Sequence, residues 1–285
     1  MATGAGRPFW KVVGSGNDFV FLDARGAGAG PDPLETTDSI VALCAPHTGV
    51  GADGVVFVGP PVEPETALSI RYYNSDGSRA SFCGNASLCA TQTAVELGLA
   101  QRHVTFGLTT DVGRLVVRAG DGTHAAIELA AARDVLVDSD DARRPSESRI
   151  GFAMAGVPHV VVLVDDVTAT DVAARGAALR APTATRGAGA NVNFVSRASA
   201  VHDASAGWRI RTFERGVEAE TLACGSGVVA TATLLGAWGL VPDAALVRLQ
   251  TASGRVLSVT RRSADRVELA GEGRIVFGGR LRHLG

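Results

Sequence analysis

The sequence predicts a mixed α/β (α+β) protein of two pseudo-symmetric duplicated domains. Each is expected to be a curved sheet or barrel around a central helix, with the active site between them. Three observations carry this. The chain has 285 residues, 46% hydrophobic and 20% charged, enough for two cores of ordinary size. Segments of its first half recur in its second at an offset near 141 residues. Each half holds one long Ala- and Leu-rich stretch among β-branched runs. The expected boundaries are 1–132 for an N-terminal repeat, 133–149 for a linker and 150–285 for a C-terminal repeat. The last residues, from about 273 to 285, are placed to pack back on the first repeat.

In chain order, Phe19–Leu22, Val55–Val58, Leu68–Tyr73, Leu115–Arg118 and Ala125–Leu129 read as strands, from their β-branched and aromatic content. Gly84–Leu97 reads as a helix closed by Gly98, and Gly225–Trp238 as its counterpart closed by Gly239. Both helices are apolar nearly all round, so each is expected to be wrapped by its own sheet. Between the copies, residues 133–149 carry nine charges of mixed sign in 17 positions, the composition of a solvated linker.

The repeat is legible at six places. Cys83-Gly84 and Gly98-Leu99 match Cys224-Gly225 and Gly239-Leu240 at an offset of 141. Gly113-Arg114-Leu115 matches Gly254-Arg255-Val256, and Ile127-Glu128-Leu129 matches Val267-Glu268-Leu269. Upstream, Ile70–Asn74 aligns with Ile210–Glu214, Asn17–Asp23 with His159–Asp165, and Gly51–Asp53 with Gly189–Asn191. All six keep their order within four residues of one offset, so the chain is a duplication and not a solenoid.

Composition narrows the function classes. The formal net charge of -2 gives no broad basic field, so neither nucleic acid nor an acidic membrane is an expected partner. Leu222–Val241 has no charge over 20 residues, but four Gly and three Ser/Thr make it a core helix. The start of the chain lacks the apolar core of an export signal, so a cytoplasmic protein with reduced thiols is expected. Four cysteines are too few for a disulfide framework, and the spacing of Cys83 and Cys89 misses the zinc-ligand pattern, so no metal is expected. Lys is nearly absent and no pyridoxal-phosphate lysine pattern is present, so no cofactor is expected.

The chemistry lies in the repeated cysteines. Taken singly, a buried Cys is a small hydrophobe. Here Cys83 and Cys224 are equivalent in the repeat, and each stands just before a helix's first turn, where unpaired N–H groups and the positive dipole end favour a thiolate and can dock a carboxylate. Cys89 aligns with Ala230 and reads as core, and Cys44 reads as structural. A thiol from each copy on one carbon suits removal of a proton from one face and delivery to the other, the two-base logic of a racemase or epimerase.

At these motifs the sequence resembles the diaminopimelate epimerase family. The matching segments are Gly14–Phe19, Gly49–Gly54, Tyr73–Ser78, Cys83-Gly84-Asn85, Pro158-His159, Asn191–Phe194, Glu214-Arg215-Gly216 and Ala223–Gly227, spread from Phe9 to Gly279. The resemblance implies cofactor-independent interconversion of LL- and meso-diaminopimelate, for lysine and peptidoglycan precursor synthesis, by a homodimer. It implies Cys83 and Cys224 as paired acid and base, with Gly84, Asn85, Gly225 and Ser226 holding the α-carboxylate. Asn17, Asn74, Asn191 and Arg215 would hold the rest of the substrate. Glu214 would meet its amine and, with His159, tune the thiols by charge. Ala86 and Leu88 replace the Gly and Arg common after Cys-Gly-Asn in the family, and Val157 replaces an Asn common before Pro-His. The alternatives are a racemase of another amino acid, of histidine or hydroxyproline type, and a non-catalytic binding protein on the same scaffold.

Overall fold

Ser15 and Gly16 both have positive φ, 54° and 102°, as a two-residue hairpin turn requires, and they join β1 (Arg7–Gly14) to β2 (Asn17–Asp23). The computed structural model describes residues 6–26, 31–139, 141, 143–183, 185–198, 207–242 and 245–282. The chain start, from which the absence of an export signal is expected, lies mostly outside the described residues. The elements that follow are α1 (Thr37–Cys44), β3 (Gly54–Gly59), β4 (Thr66–Asn74), β5 (Arg79–Ala80), α2 (Gly84–Glu96), β6 (Thr105–Thr110), β7 (Gly113–Ala119) and β8 (His124–Ala130). The second half brings β9 (Arg133–Leu136), β10 (Glu147–Ala155), β11 (Val157–Val164), α3 (Val172–Arg180), β12 (Asn191–Arg197) and β13 (Trp208–Glu214). It ends with β14 (Ala219–Thr221), α4 (Gly225–Ala237), β15 (Val247–Gln250), β16 (Val256–Arg261), β17 (Arg266–Glu272) and β18 (Arg274–Leu281).

These form two units, Met1–Ile127 with Gly271–Gly285, and Glu128–Ala270. In the first, the strand order is β18-β1-β2-β3-β4-β6-β7-β8, with β5 a short hairpin partner of β4. In the second it is β9-β10-β11-β12-β13-β15-β16-β17, with β14 beside β13. Among the described residues, only β2–β3 and β4–β6 pair in parallel in the first unit, and only β11–β12 and β13–β15 in the second. The two sheets therefore repeat one topology strand for strand.

Each sheet curls around its long helix. α2 packs on β1, β4, β7 and β18, and α4 on β10, β11, β12 and β16. Residues Gly84 through Ala94 are all buried, which their small side chains permit. Both helices end in the same motif: Leu99 N–H reaches Ala94 O and Gly98 N–H reaches Val95 O, as Leu240 reaches Leu235 and Gly239 reaches Gly236. Gly98 and Gly239 take φ of 70° and 71°, which costs a glycine nothing.

A second, short helix covers the other face of each sheet, and the sequence reading has neither. α1 packs on β3, and α3 on β12 and β13. Both are under ten residues, and α3 (VAARGAALR) has little apolar periodicity. Their presence explains why all six residues of β3 are buried: a strand covered on both faces reads as one apolar run. The stretch 133–149 departs from the linker expectation. It carries β9 and the start of β10: β9 pairs with β10, Leu136 opposite Phe152 and Arg133 opposite Met154, with Val135 half-buried and Leu136 exposed. Residues 140 and 142 of that stretch lie outside the described residues. No helix among the described residues is long and apolar enough to cross a membrane.

Candidate active site

In the first unit, Cys83 is the N-cap of α2. Its backbone is extended (φ -140°) and its Sγ accepts the Ala86 N–H at 3.5 Å. The first helical hydrogen bond is Ser87 N–H to Cys83 O, so the Gly84 and Asn85 N–H groups precede the helical ladder. Asn85 donates from Nδ2 to Asn17 Oδ1 at 2.6 Å, and Asn17 donates to Asp53 Oδ2 at 2.9 Å. The hairpin turn before Asn17 and the β2–β3 pairing bring these together. Asn74 sits on the adjacent strand, opposite Gly54, with its amide donating to Ser78 Oγ at 3.0 Å. Lys11, the chain's single lysine, is bound by the Asp18 carboxylate at 2.5 Å and by Gly51 O. Cys44 and Cys89 are buried, and burial pushes the Cys44 thiol up to about 11 and the Cys89 thiol well above its ordinary value.

In the second unit, Cys224 is the N-cap of α4, with φ -125°. Its Sγ lies 3.5 Å from Ser226 Oγ, and no N–H caps onto it. The first helical bond is Val228 N–H to Cys224 O, which leaves Gly225 and Ser226 on the unladdered first turn. His159 and Asn191 are partners across β11 and β12. Asn191 Oδ1 accepts the Arg215 main-chain N–H at 2.8 Å, and Arg215 Nη1 donates to Gly189 O at 3.2 Å. Burial holds the Glu214 carboxyl above the usual range, against the opposing bond from Thr221 Oγ1 at 2.9 Å.

His159 stands on β11. It is fully buried, and burial together with the Arg215 charge pushes its pKa down to about 3. A ring held at that value is neutral near pH 7. Four supporting residues carry no assigned role in the sequence reading: Asp53 and Asn193, although both lie inside matched motifs, and Thr212 and Thr221. Their partners are 7 to 36 residues away, which local patterning does not encode.

The lowered His159 pKa has a stability consequence. The unfolded chain takes up a proton at this ring near pH 6.5, while the folded ring stays neutral down to about 3. Stability from this group is therefore full above about 6.5 and is lost as pH falls through that window, by at most about 1.4 kcal/mol per unit. The expected result is that His159→Gln flattens the stability-against-pH curve between about pH 6.5 and 5, read by urea denaturation. An unchanged slope would refute the buried neutral ring.

The architecture first defines a class. A hydroxyproline epimerase from Agrobacterium vitis, solved with trans-4-hydroxy-L-proline, superposes with TM-score 0.66 at 18% identity, covering 99% of this chain and 94% of that one. A phenazine biosynthesis protein of the PhzF family from Bacillus anthracis gives 0.71 at 14%, covering 98% and 100%. At such identities the likeness is one of fold: a duplicated α/β fold that these proteins share. Sequence is more specific. The family model described as diaminopimelate epimerase matches residues 9–135 and 151–276. The diaminopimelate epimerase of Gemmatimonas aurantiaca is 43% identical over 287 residues, covering 97% of this chain and 99% of its own. The chain belongs to the diaminopimelate epimerase family, and it is an isomerase.

Proposed function

We propose that this chain interconverts LL- and meso-2,6-diaminopimelate, without a cofactor, by a two-base mechanism carried by Cys83 and Cys224. The observation that carries the reading is the same cysteine N-cap on the same buried helix in each of two like units. One sulfur, as thiolate, takes the α-proton and becomes a thiol. The other, as thiol, gives its proton to the opposite face of the carbon and becomes a thiolate. Charge that builds up on the α-carboxylate meets the first-turn N–H groups of Gly84, Asn85, Gly225 and Ser226, donors already oriented by their helices. Asn17, Asn74 and Asn191 offer amide donors and acceptors to the remaining head groups, and Glu214 offers a carboxylate to an ammonium. His159 modulates the thiols through its hydrogen-bonding capacity. The substrate is a small amino acid, the chain acts in the cytoplasm as a homodimer, and neither nucleic acid nor membrane is a partner.

The reaction is tested by incubating the purified chain with LL-diaminopimelate in D2O. Deuterium is expected at the α-carbon together with formation of the meso isomer, and neither product would defeat the reading. Arg215 tests the distal end. A charge-assisted guanidinium–carboxylate contact contributes about 1.5–3 kcal/mol, about ten- to a hundredfold. Arg215→Met is expected to lower turnover of diaminopimelate by that factor. Lysine, which ends in an amine, is expected to be a poor substrate of the native chain and to lose nothing further in the variant. Faster native turnover of lysine or histidine than of diaminopimelate would move the assignment to another amino-acid racemase.

A further inference from the structure

We propose that Asn193 is a positioning residue: backed by Thr212 and pressed against Gly227, it holds His159 as the neutral tautomer protonated on Nε2 and ties that ring to the first turn of the Cys224 helix. The effect on turnover rests on the epimerase reading above; the tautomer does not.

The assignment follows from who can donate. Asn193 is fully buried on β12. Its Nδ2 is 3.1 Å from Val160 O and 3.2 Å from His159 Nδ1, and its Oδ1 lies 2.9 Å from Thr212 Oγ1. A main-chain carbonyl only accepts, so the atom facing Val160 O must be the amide nitrogen. Its second N–H then points at His159 Nδ1, which must accept and carries no proton. In a neutral ring the proton sits on Nε2. Thr212 closes the chain by donating its hydroxyl to Asn193 Oδ1. His159 Nε2 is buried, and no described residue engages it. A buried N–H without a partner costs about 1–3 kcal/mol, a cost the core alone gives no reason to retain.

The link to Cys224 is steric. A Cβ placed on Gly227 would lie 2.2 Å from Asn193 Oδ1 and 3.4 Å from Cys224 Cβ. The helix start can therefore approach Asn193 only because residue 227 is glycine. The first unit shows that the fold does not demand this polar chain. By strand register it carries Phe19, Val56 and Tyr72, and at the helix start Ala86, where the second unit has His159, Asn193, Thr212 and Gly227. The same topology forms with valine in place of the buried amide.

The test is nitrogen-15 NMR of the full chain labelled in histidine, with His159→Gln used to identify the resonances. In the native chain near neutral pH, Nδ1 of His159 is expected to be unprotonated and Nε2 protonated; the reverse, or an average of the two, overturns the proposal. In Asn193→Asp a carboxylate oxygen faces Nδ1, so a proton is expected there, with kcat for diaminopimelate lowered about tenfold or more and KM changed less. Thr212→Val, a milder change for use if the aspartate variant does not fold, is expected to mix the tautomers, and Thr212→Ser to restore the native one. Native tautomer populations in the Asn193 or the Thr212→Val variant would overturn the proposal. A chain that epimerises nothing but shows these shifts would defeat the functional reading and leave the positioning role standing.

Discussion

Cys83→Ala and Cys224→Ala are each expected to abolish epimerisation, lowering turnover at least about a thousandfold, whereas Cys44→Ala and Cys89→Ala retain it. Both target cysteines cap a helix from extended backbone that alanine also adopts, so the substitution removes the sulfur and leaves the helix start in place. The sulfur's contact with the Ala86 N–H, which Cys83→Ala removes, is weak at 3.5 Å. Cys89 is the sterner control because it is fully buried on the same helix as Cys83. Its loss leaves a small cavity costing about 1 kcal/mol, with no effect on proton transfer. Deuterium incorporation and formation of the meso isomer read all four variants. Near-native turnover by either Cys83→Ala or Cys224→Ala would end the two-base mechanism.

The largest stability effect is expected at Glu147 and Arg175, which join the start of β10 to α3. Arg175 Nε and Nη2 meet the two Glu147 oxygens, each at 2.7 Å, with side-chain exposures of 11% and 3%. Burial pushes the Glu147 carboxyl up, but the Arg175 bonds and the Arg144 N–H at 2.8 Å outweigh it and hold it below the usual range. Removing the arginine strands a buried carboxylate, so Arg175→Met is expected to cost about 3–5 kcal/mol at pH 7. A depressed carboxyl contributes stability above its unfolded value and loses it as pH falls through the folded one. The gap between native and variant should therefore narrow below about pH 4.5. Adding Glu147→Leu should recover most of the loss, because no charge is then left buried. Urea unfolding followed by tryptophan fluorescence suits this test, since Trp208 and Trp238 lie in the second unit and only Trp10 in the first. A single-variant loss under about 1 kcal/mol would refute the buried-pair account.

The duplication, both long helices and the placing of Cys83 and Cys224 just ahead of them are legible in the sequence alone. These are local signals. A glycine that must turn the chain closes each helix, at Gly98 and Gly239, and an unbroken small and apolar run marks a helix buried on all sides. Only the tertiary structure decided the rest. Two short outer helices, α1 and α3, exist because a sheet face lies beneath each of them, which nine residues or fewer of sequence do not announce. β9, the last strand of the first sequence half, falls in the second unit because its pairing partner is β10. The charge of His159 was decided there too: in sequence it is one ionisable ring, and in the fold it is a neutral one. That state depends on removal from water by strands distant in sequence, and on an amide 34 residues away whose orientation a single main-chain carbonyl fixes.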